Sequence, residues 1–467
     1  MIIPCHSYCT LRSFFRPFLL GGLLFCTGVA VTHAQITLDG SLGPKGPLAG
    51  PDFTIDAKVG QLRGNNLFHS FGQFNVHTNE SATFTGPSTV ENVIGRVTGG
   101  QQSLIDGQIR SEMPKANMYL LNPSGVMFGP NASLDVPGSF HVSTADYLRM
   151  ADGAKFYANL SQESVLTSAP PAAFGFLNGN PAPIALQGST LQVPEGKTLS
   201  VVGGDLQITG GSLSAPHGQL NLASVASAGE VIPTVAEQGP DLKMEGFGRL
   251  GKIEAAQGAR INTDGEGGGS VVIRSGQLIV DNATISSNTQ GNTDGARVGV
   301  DVQVAEDVVI SNAGRIETTT LPNSTGNGGS TELKVKQLAL TDGARIDTST
   351  HGSGRGGALS VTATDSVSIS GRDSKGAKSG LFSNALGKGD GGKVAVSAPT
   401  LTMADRGTID AHTAGDGNAG NVDVQAGTLT LTGGAQIRAG SGVAEFKEGV
   451  FTPKSNHLTL VHSSGKL

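Results

Sequence analysis

The stretch GGSTELKVKQLALTDGARIDTSTHGSGRGG, Gly328 to Gly357, reads as a Gly-rich turn, one strand, a second strand, a short "GA-x-I" strand and another Gly turn. The same phrase returns as GGSVVIRSGQLIVDNATISSNT from Gly268, GGKVAVSAPTLTMADRGTIDAHTAGDGNAG from Gly391 and GNVDVQAGTLTLTGGAQIRAG from Gly420. Its anchors are Ile285, Ile316, Ile346, Ile409 and Ile437, with Phe382 in the equivalent slot of the copy between. Repeats of roughly 20–50 residues signal a solenoid, in which each unit buries its apolar side on the next. Inward Val, Ile and Leu alternate with outward Ser, Thr and Asp, which is strand periodicity. A parallel β-helix satisfies this pattern, each turn lying about 4.8 Å above the last. Aligned Asn, Thr and Ser at its corners would hydrogen-bond to their equivalents above and below. A β-propeller is the alternative, but it wants aromatic blade signatures and this chain has no Trp.

Composition agrees with many short strands. Gly accounts for 69 of 467 residues, too irregularly placed for collagen, and charged residues reach only 15%, too few for a disordered chain. The net charge is −6 and no Lys/Arg cluster occurs, which argues against a nucleic-acid groove. Arg12 and Arg16 precede an apolar run, Phe18 to Val31, followed by Thr32-His33-Ala34 and Gln35. This reads as a secretory signal peptide over residues 1–34. The run is shorter than the about 20 residues of a membrane span. A lipoprotein site at Cys26 is disfavoured by bulky Phe25. All three cysteines (Cys5, Cys9, Cys26) lie in this leader, so the exported chain would hold none. Either it must stay threadable through a pore, or a long stacked core needs no staples.

Phenylalanine divides the remainder. Ten fall between Phe53 and Phe176, and only Phe247, Phe382, Phe446 and Phe451 follow. The early part thus packs as a cap or specialised first domain, and Thr167 to Ile184, rich in Pro, reads as a surface loop at its end. Ala226 to Gly251 is less regular, and Thr144 to Met150 is the best helix candidate, though very short. The expected divisions are 35–193 for the first domain, 194–442 for the repeat shaft and 443–467 for an irregular tail.

The segments LFHSFGQFNV (from Leu67), SATFTGP (from Ser81), NVIGRVTGGQQSLIDGQI (from Asn92) and MYLLNPSGVMFGPNASLDVPGSFHVSTADYL (from Met118) carry a resemblance. Together they resemble the haemagglutination-activity domain, the N-terminal secretion domain of filamentous-haemagglutinin-like two-partner-secretion exoproteins, over about Gln35 to Val193. The resemblance implies a right-handed parallel β-helix, no cofactor, and recognition by an outer-membrane barrel transporter with periplasmic domains. It further implies an adhesin at the cell surface or released outside it, with a host-cell or surface receptor as partner. The family's Asn-Pro-Asn-Gly-Ile motif corresponds to Asn122, Pro123, Ser124, Gly125 and Val126. Its Asn-Pro-Asn-Leu motif is not present, and Arg96, Val97, Thr98, Gly99 and Gly100 occupy that region. Asn-Pro-Ser-Gly is itself good type I turn chemistry. The turn either sets strand register at a coil corner or touches the transporter, and we favour the first.

Other motifs read as structural. G-x-G-x-x-G occurs at Gly352-Gly354-Gly357, Gly387-Gly389-Gly392 and Gly415-Gly417-Gly420. A dinucleotide site needs such a loop to open a helix, and each copy here opens a strand. "NTDG" at Asn262 and Asn292 resembles a polygalacturonase motif, but the further carboxylates that glycoside cleavage needs are missing. Isolated Gly-Asp stretches such as KGDGG lack the tandem nonapeptide of calcium solenoids. His69 and His77 lack a third ligand, and His351 and His412 occupy equivalent turns in different repeats, as repetition alone predicts. No Ser nucleophile elbow or Cys/His pair is available in the exported chain. The expected protein is non-enzymatic. A polysaccharide-acting enzyme on the same scaffold and a truncated, secretion-competent remnant of a longer adhesin are the alternatives.

Overall fold

The computed structural model describes residues 35–233 and 241–440, together with the backbone of two short strands, Gly449–Phe451 and His457–Leu460. Residues 1–34, read as the leader with its cysteines, lie outside the described residues. Every described residue belongs to one unit, Ala34–Leu467.

Each coil carries three strands. In one coil these are Thr198–Gly203, Leu206–Thr209 and Ser212–Ser214. The next supplies Gln219–Ser224, Lys252–Ala256 and Arg260–Asn262. They pair in parallel and in register: Val201 with Leu222, Ile208 with Ala255, Leu213 with Ile261. The first face runs this way from Asn66–Phe74 to Val422–Leu431. Alternate side chains point inward and form one continuous apolar column. This is a parallel β-helix. No α-helix occurs among the described residues; a single 3-10 turn, Ala57–Val59, interrupts the strands.

The later coils depart from the expected two separate strands. In Ser330–Leu340, Leu359–Ser370, Val394–Ala404 and Val422–Leu431 the first and second strands fuse. Register slips at Val335/Gln337 and Thr362/Ser366 take up the corner instead of a loop. The third face corrects one anchor. Ile285, Ile316 and Ile346 stack as expected, but the next residue in that column is Leu381, followed by Ile409 and Ile437. Phe382 lies one residue on, where strand alternation turns it to the other side, and its ring packs under the Arg345 guanidinium at 4.0 Å.

A second layer lies outside the helix. Tyr147–Met150, Lys155–Tyr157, Pro171–Phe176, Gly229–Pro233 and Leu242–Glu245 form an antiparallel sheet. Phe156, Phe174, Val231 and Leu242 cover Phe68, Ile94, Leu121, Val202 and Val272, which project outward from the first face. First-face strands such as Asn92–Val97 and Gln219–Ser224 are consequently buried on both sides. Three expectations give way here. The Pro-rich loop contains a strand with buried Phe174 and Phe176, the irregular stretch after Ala226 supplies two more strands, and the helix candidate is Tyr147–Met150 in extended form.

Both ends of the stack are covered by antiparallel pairing. Ile36–Asp39 lies against Asn66–Phe74 and against Lys45–Pro47. At the other end Gly449–Phe451 and His457–Leu460 pair with Val422–Leu431. The tail expected to be irregular thus shields an edge that would otherwise template association with another chain.

Candidate functional site

The turn Asn122–Gly125 joins Asn117–Leu121 on the first face to Val126–Phe128 on the second. The Gly125 amide donates to the Asn122 carbonyl at 3.0 Å, which closes a four-residue turn, and Gly125 has φ +106°. The Asn122 side chain is fully buried. Its Nδ2 donates to the Gln101 carbonyl and to Ser103 Oγ, both at 2.9 Å, while its Oδ1 accepts the Ser124 amide at 2.9 Å. Val126 then pairs with Ser103 below and Ile184 above. The corner is therefore fastened to the preceding coil by one amide side chain. Asn122→Ala is expected to cost about 1–3 kcal/mol in urea unfolding, because buried partners lose their bonds. An unchanged midpoint would mean that the residue is not a structural corner.

Arg96 sits in the strand Asn92–Val97 with only 3% of its surface exposed. Its Nε donates to Ser70 Oγ at 2.7 Å, Nη1 to Ser164 Oγ at 2.9 Å and to the Tyr157 carbonyl, and Nη2 to Ser41 Oγ at 3.0 Å. The guanidinium also lies 4.4 Å from the Phe156 ring centroid. Asp39 completes the cluster by accepting Ser70 Oγ at 2.6 Å and Thr98 Oγ1 at 2.8 Å. Burial lowers the Arg96 pKa and Asp39 opposes that shift, but an arginine stays charged. At Asp39, burial pushes the carboxyl up, and the bonds from Ser70, Ser41 and Thr98 outweigh it and hold it below its ordinary value. One cation thus ties the end cap, the first face and the outer sheet together. Val97 is buried in the same strand, and Gly99 and Gly100 are exposed beside it.

An asparagine ladder, which belongs to neither motif, runs beside this cluster. Asn92 Nδ2 donates to Asn66 Oδ1 at 2.9 Å and Asn117 Nδ2 to Asn92 Oδ1 at 3.3 Å. Asn66 Nδ2 donates in turn to the Thr167 and Ala169 carbonyls of the outer layer. The signal was visible: an Asn opens each of the apolar runs NLFHSF, NVIGRV and NMYLL.

The family model described as "TPS secretion domain" matches residues 34–274. The chain belongs to this family. It is a two-partner-secretion exoprotein, exported across the outer membrane to the extracellular space by a cognate outer-membrane transporter. The HMW1 secretion domain from Haemophilus influenzae, a crystal structure, is similar at 19% identity and a TM-score of 0.39, over 76% of this chain and 95% of that one. No curated protein matches the chain. The matched region contains all five strands of the outer sheet. It ends at Arg274, a buried residue that pairs with Asp301 and lies 3.6 Å from Asp241 beside the sheet's last strand.

Two histidines are buried in the secretion domain. His69 packs between Phe71 and Phe84, and neither ring nitrogen has a hydrogen-bond partner. Burial holds its pKa down at about 4, against a smaller pull upward from Asp56. Burial lowers His141 to about 3. In the unfolded chain both titrate near the ordinary value of about 6.5, so below that pH the unfolded state binds more protons. Stability is complete above pH 6.5 and falls as the pH drops, by up to about 1.4 kcal/mol per unit for each histidine, until the folded values are reached. The urea midpoint is expected to fall steadily from pH 6.5 to 4.5, and His69→Leu to flatten the slope. A midpoint independent of pH in that window would contradict this burial. His77 is exposed, so the two residues do not form a pair. His351 and His412 lie in equivalent turns, on either side of the column Thr350–Ala385–Thr413 and two positions apart.

The Gly-rich loops of the shaft stack in register. A Cβ on Gly357 would overlap the Gly329 carbonyl oxygen, one on Gly392 that of Gly357, and one on Gly420 that of Gly392. The carboxylates nearby serve the same ladders. Asp264 accepts the Asn288 amide at 2.6 Å and Ser286 Oγ at 3.0 Å, and Asp390 accepts the Asn418 amide at 2.8 Å. Burial raises the Asp264 pKa over these bonds. The second NTDG copy lies elsewhere in its coil, with Asp294 accepting the Asn327 amide at 2.8 Å. Among the described residues no group of His, Cys, Asp and Glu is arranged to hold a metal.

Proposed function

We propose that this exoprotein is a surface-attachment protein, a filamentous-haemagglutinin-like adhesin that works without catalysis. The observation that carries the reading is the outward side of the fused strands. Ser366, Ser368, Thr400, Thr402, Thr428 and Thr430 stack as two parallel hydroxyl columns, with Ser366 over Thr400 over Thr428 and Ser368 over Thr402 over Thr430. A hydroxyl face over three successive coils supports attachment, whereas glycan cleavage needs a cleft with paired carboxylates. Attachment of cells to host tissue or abiotic surfaces is expected to fall when the gene is deleted and to return with the chain. Equal attachment, or release of sugar from a polysaccharide by the purified chain, would overturn the reading.

In this proposal the leader, residues 1–34, directs the chain to the periplasm. The segment from Gln35 to about Val193 engages the periplasmic domains of the transporter. Pro123, Ser124, Thr98, Gly99 and Gly100 are the accessible members of the two motifs and the candidate contacts. The chain crosses unfolded and winds outside, each finished coil burying apolar surface on the one before. Thr402 and Thr430 are register partners on adjacent coils, close enough for a disulfide in a parallel sheet. A Thr402→Cys/Thr430→Cys chain is expected to stall in an oxidising periplasm and to be secreted under reducing conditions. Unhindered secretion of the crosslinked chain would contradict threading.

A further inference from the structure

Between the first face and the outer sheet lies a slot of roughly 350 Å³. Its floor is a row of outward side chains on successive coils. Tyr119 stacks on His141 at 4.4 Å between ring centroids, His141 Nδ1 meets Ser200 Oγ at 2.9 Å, and Asn221 Nδ2 donates to Ser200 Oγ at 3.1 Å. Gln219 Nε2 donates to Asn221 Oδ1 at 2.8 Å. In this row the Tyr119 hydroxyl, His141 Nε2 and the Gln219 side-chain carbonyl oxygen, and beside it the Thr198 hydroxyl, have no hydrogen-bond partner among the described residues, and all four residues line the slot. The facing wall is apolar, built by Leu148, Pro171 and Phe174.

Among the described residues no Lys, Arg, Asp or Glu lines the slot. His141 stays uncharged at any physiological pH, because burial keeps its pKa at about 3. A charged ligand would therefore enter without a counter-charge, at a large desolvation cost. A purely aliphatic ligand would strip water from four donors and acceptors and leave them unpaired. The complementary molecule has a C–H face for the Phe174 side and uncharged hydroxyl or amide groups for the floor. The volume sits at the low end of ligand cavities, the size for one or two small rings.

We propose that the slot binds a neutral sugar, one or two pyranose rings at the end of a glycan. The rings lie against Phe174 and Pro171, and their hydroxyls bridge Tyr119, His141 and Gln219. This rests on the attachment reading only for its biological setting, since the chemistry of the slot stands without it.

The test is saturation-transfer NMR on the full secreted chain with millimolar methyl glycosides of glucose, galactose, mannose and N-acetylglucosamine, and with N-acetylneuraminic acid as the charged comparison. Transfer is expected from at least one neutral glycoside. Tyr119→Phe and Gln219→Ala should each weaken it about fivefold, the effect of one hydrogen bond of about 1 kcal/mol. Ala172→Trp, which fills the slot from the outer wall, should abolish it. Secretion level and urea midpoint report on export and folding separately, so a failed sugar site is distinguishable from a failed adhesin. If a floor variant unfolds, Ala172→Trp decides the question. No transfer from any neutral glycoside, equal transfer in the filled variant, or preference for the charged sugar would overturn the proposal.

Discussion

Gly357→Val is expected to cost about 3 kcal/mol or more and to separate the later coils from the rest in urea unfolding. In the glycine column Gly329–Gly357–Gly392–Gly420 an added side chain at each member meets a backbone carbonyl of the preceding coil rather than a movable rotamer. Overpacking in a core normally costs about 1–3 kcal/mol because side chains yield. Here the neighbouring coil must move, and the long strands Ser330–Leu340 and Leu359–Ser370 move with it. Because coils contact only their neighbours, the damage should propagate as a break in the stack rather than a uniform weakening. Gly179→Ala is the control, since nothing lies within 4 Å of its added Cβ. Its effect should stay within about 0.5 kcal/mol. Equal effects of the two changes would mean the columns are not close-packed.

Arg96→Met carries the other large effect. Removing one member of a buried charged network costs about 3–5 kcal/mol, because its partners remain buried without it. Ser70, Ser164, the Tyr157 carbonyl and Ser41 would all lose a donor, and Asp39 would lose the nearby cation. Arg96→Lys should recover little, since an ammonium cannot span three directions in one plane. Limited proteolysis should then cut first in the residues around Ser164, whose hydroxyl this cluster ties to the helix side. Arg110→Met is the comparison: its pair with Asp135 is about half exposed on both sides and is worth at most about 1 kcal/mol. A loss at Arg96 no larger than that at Arg110 would contradict the assigned network.

The helix was legible because a solenoid writes its contacts at a fixed distance along the chain. Leu333, Val335, Leu338 and Leu340 announce a buried strand side without reference to any distant segment. The outer sheet was not legible, for the converse reason. Phe174 pairs with Val231 across more than two coils of intervening chain, and nothing near either residue marks the other as its partner. The trace it left was indirect: strands such as NVIGRV and QLNLAS lack polar alternation because both their sides are covered. Phe382 stands in the slot where the repeat places an anchor, whereas the register of the strand selects Leu381. At the candidate site the turn at Asn122 could be read from local chemistry. The role of Arg96 could not, because Ser41 and Ser164 reach it from segments that the sequence does not connect.

Oxidative crosslinking of the secreted, folded chain tests the in-register stack most directly. Thr402→Cys/Thr430→Cys, introduced as a pair and oxidised only after export under reducing conditions, should close rapidly and nearly completely, because these residues are Cα partners on adjacent coils. Thr402→Cys/Gln425→Cys, which places the second cysteine opposite Ser397 instead, should remain as free thiols. Crosslinking of the displaced pair at the same rate, or failure of the aligned pair to close, would contradict a parallel β-helix wound in this register.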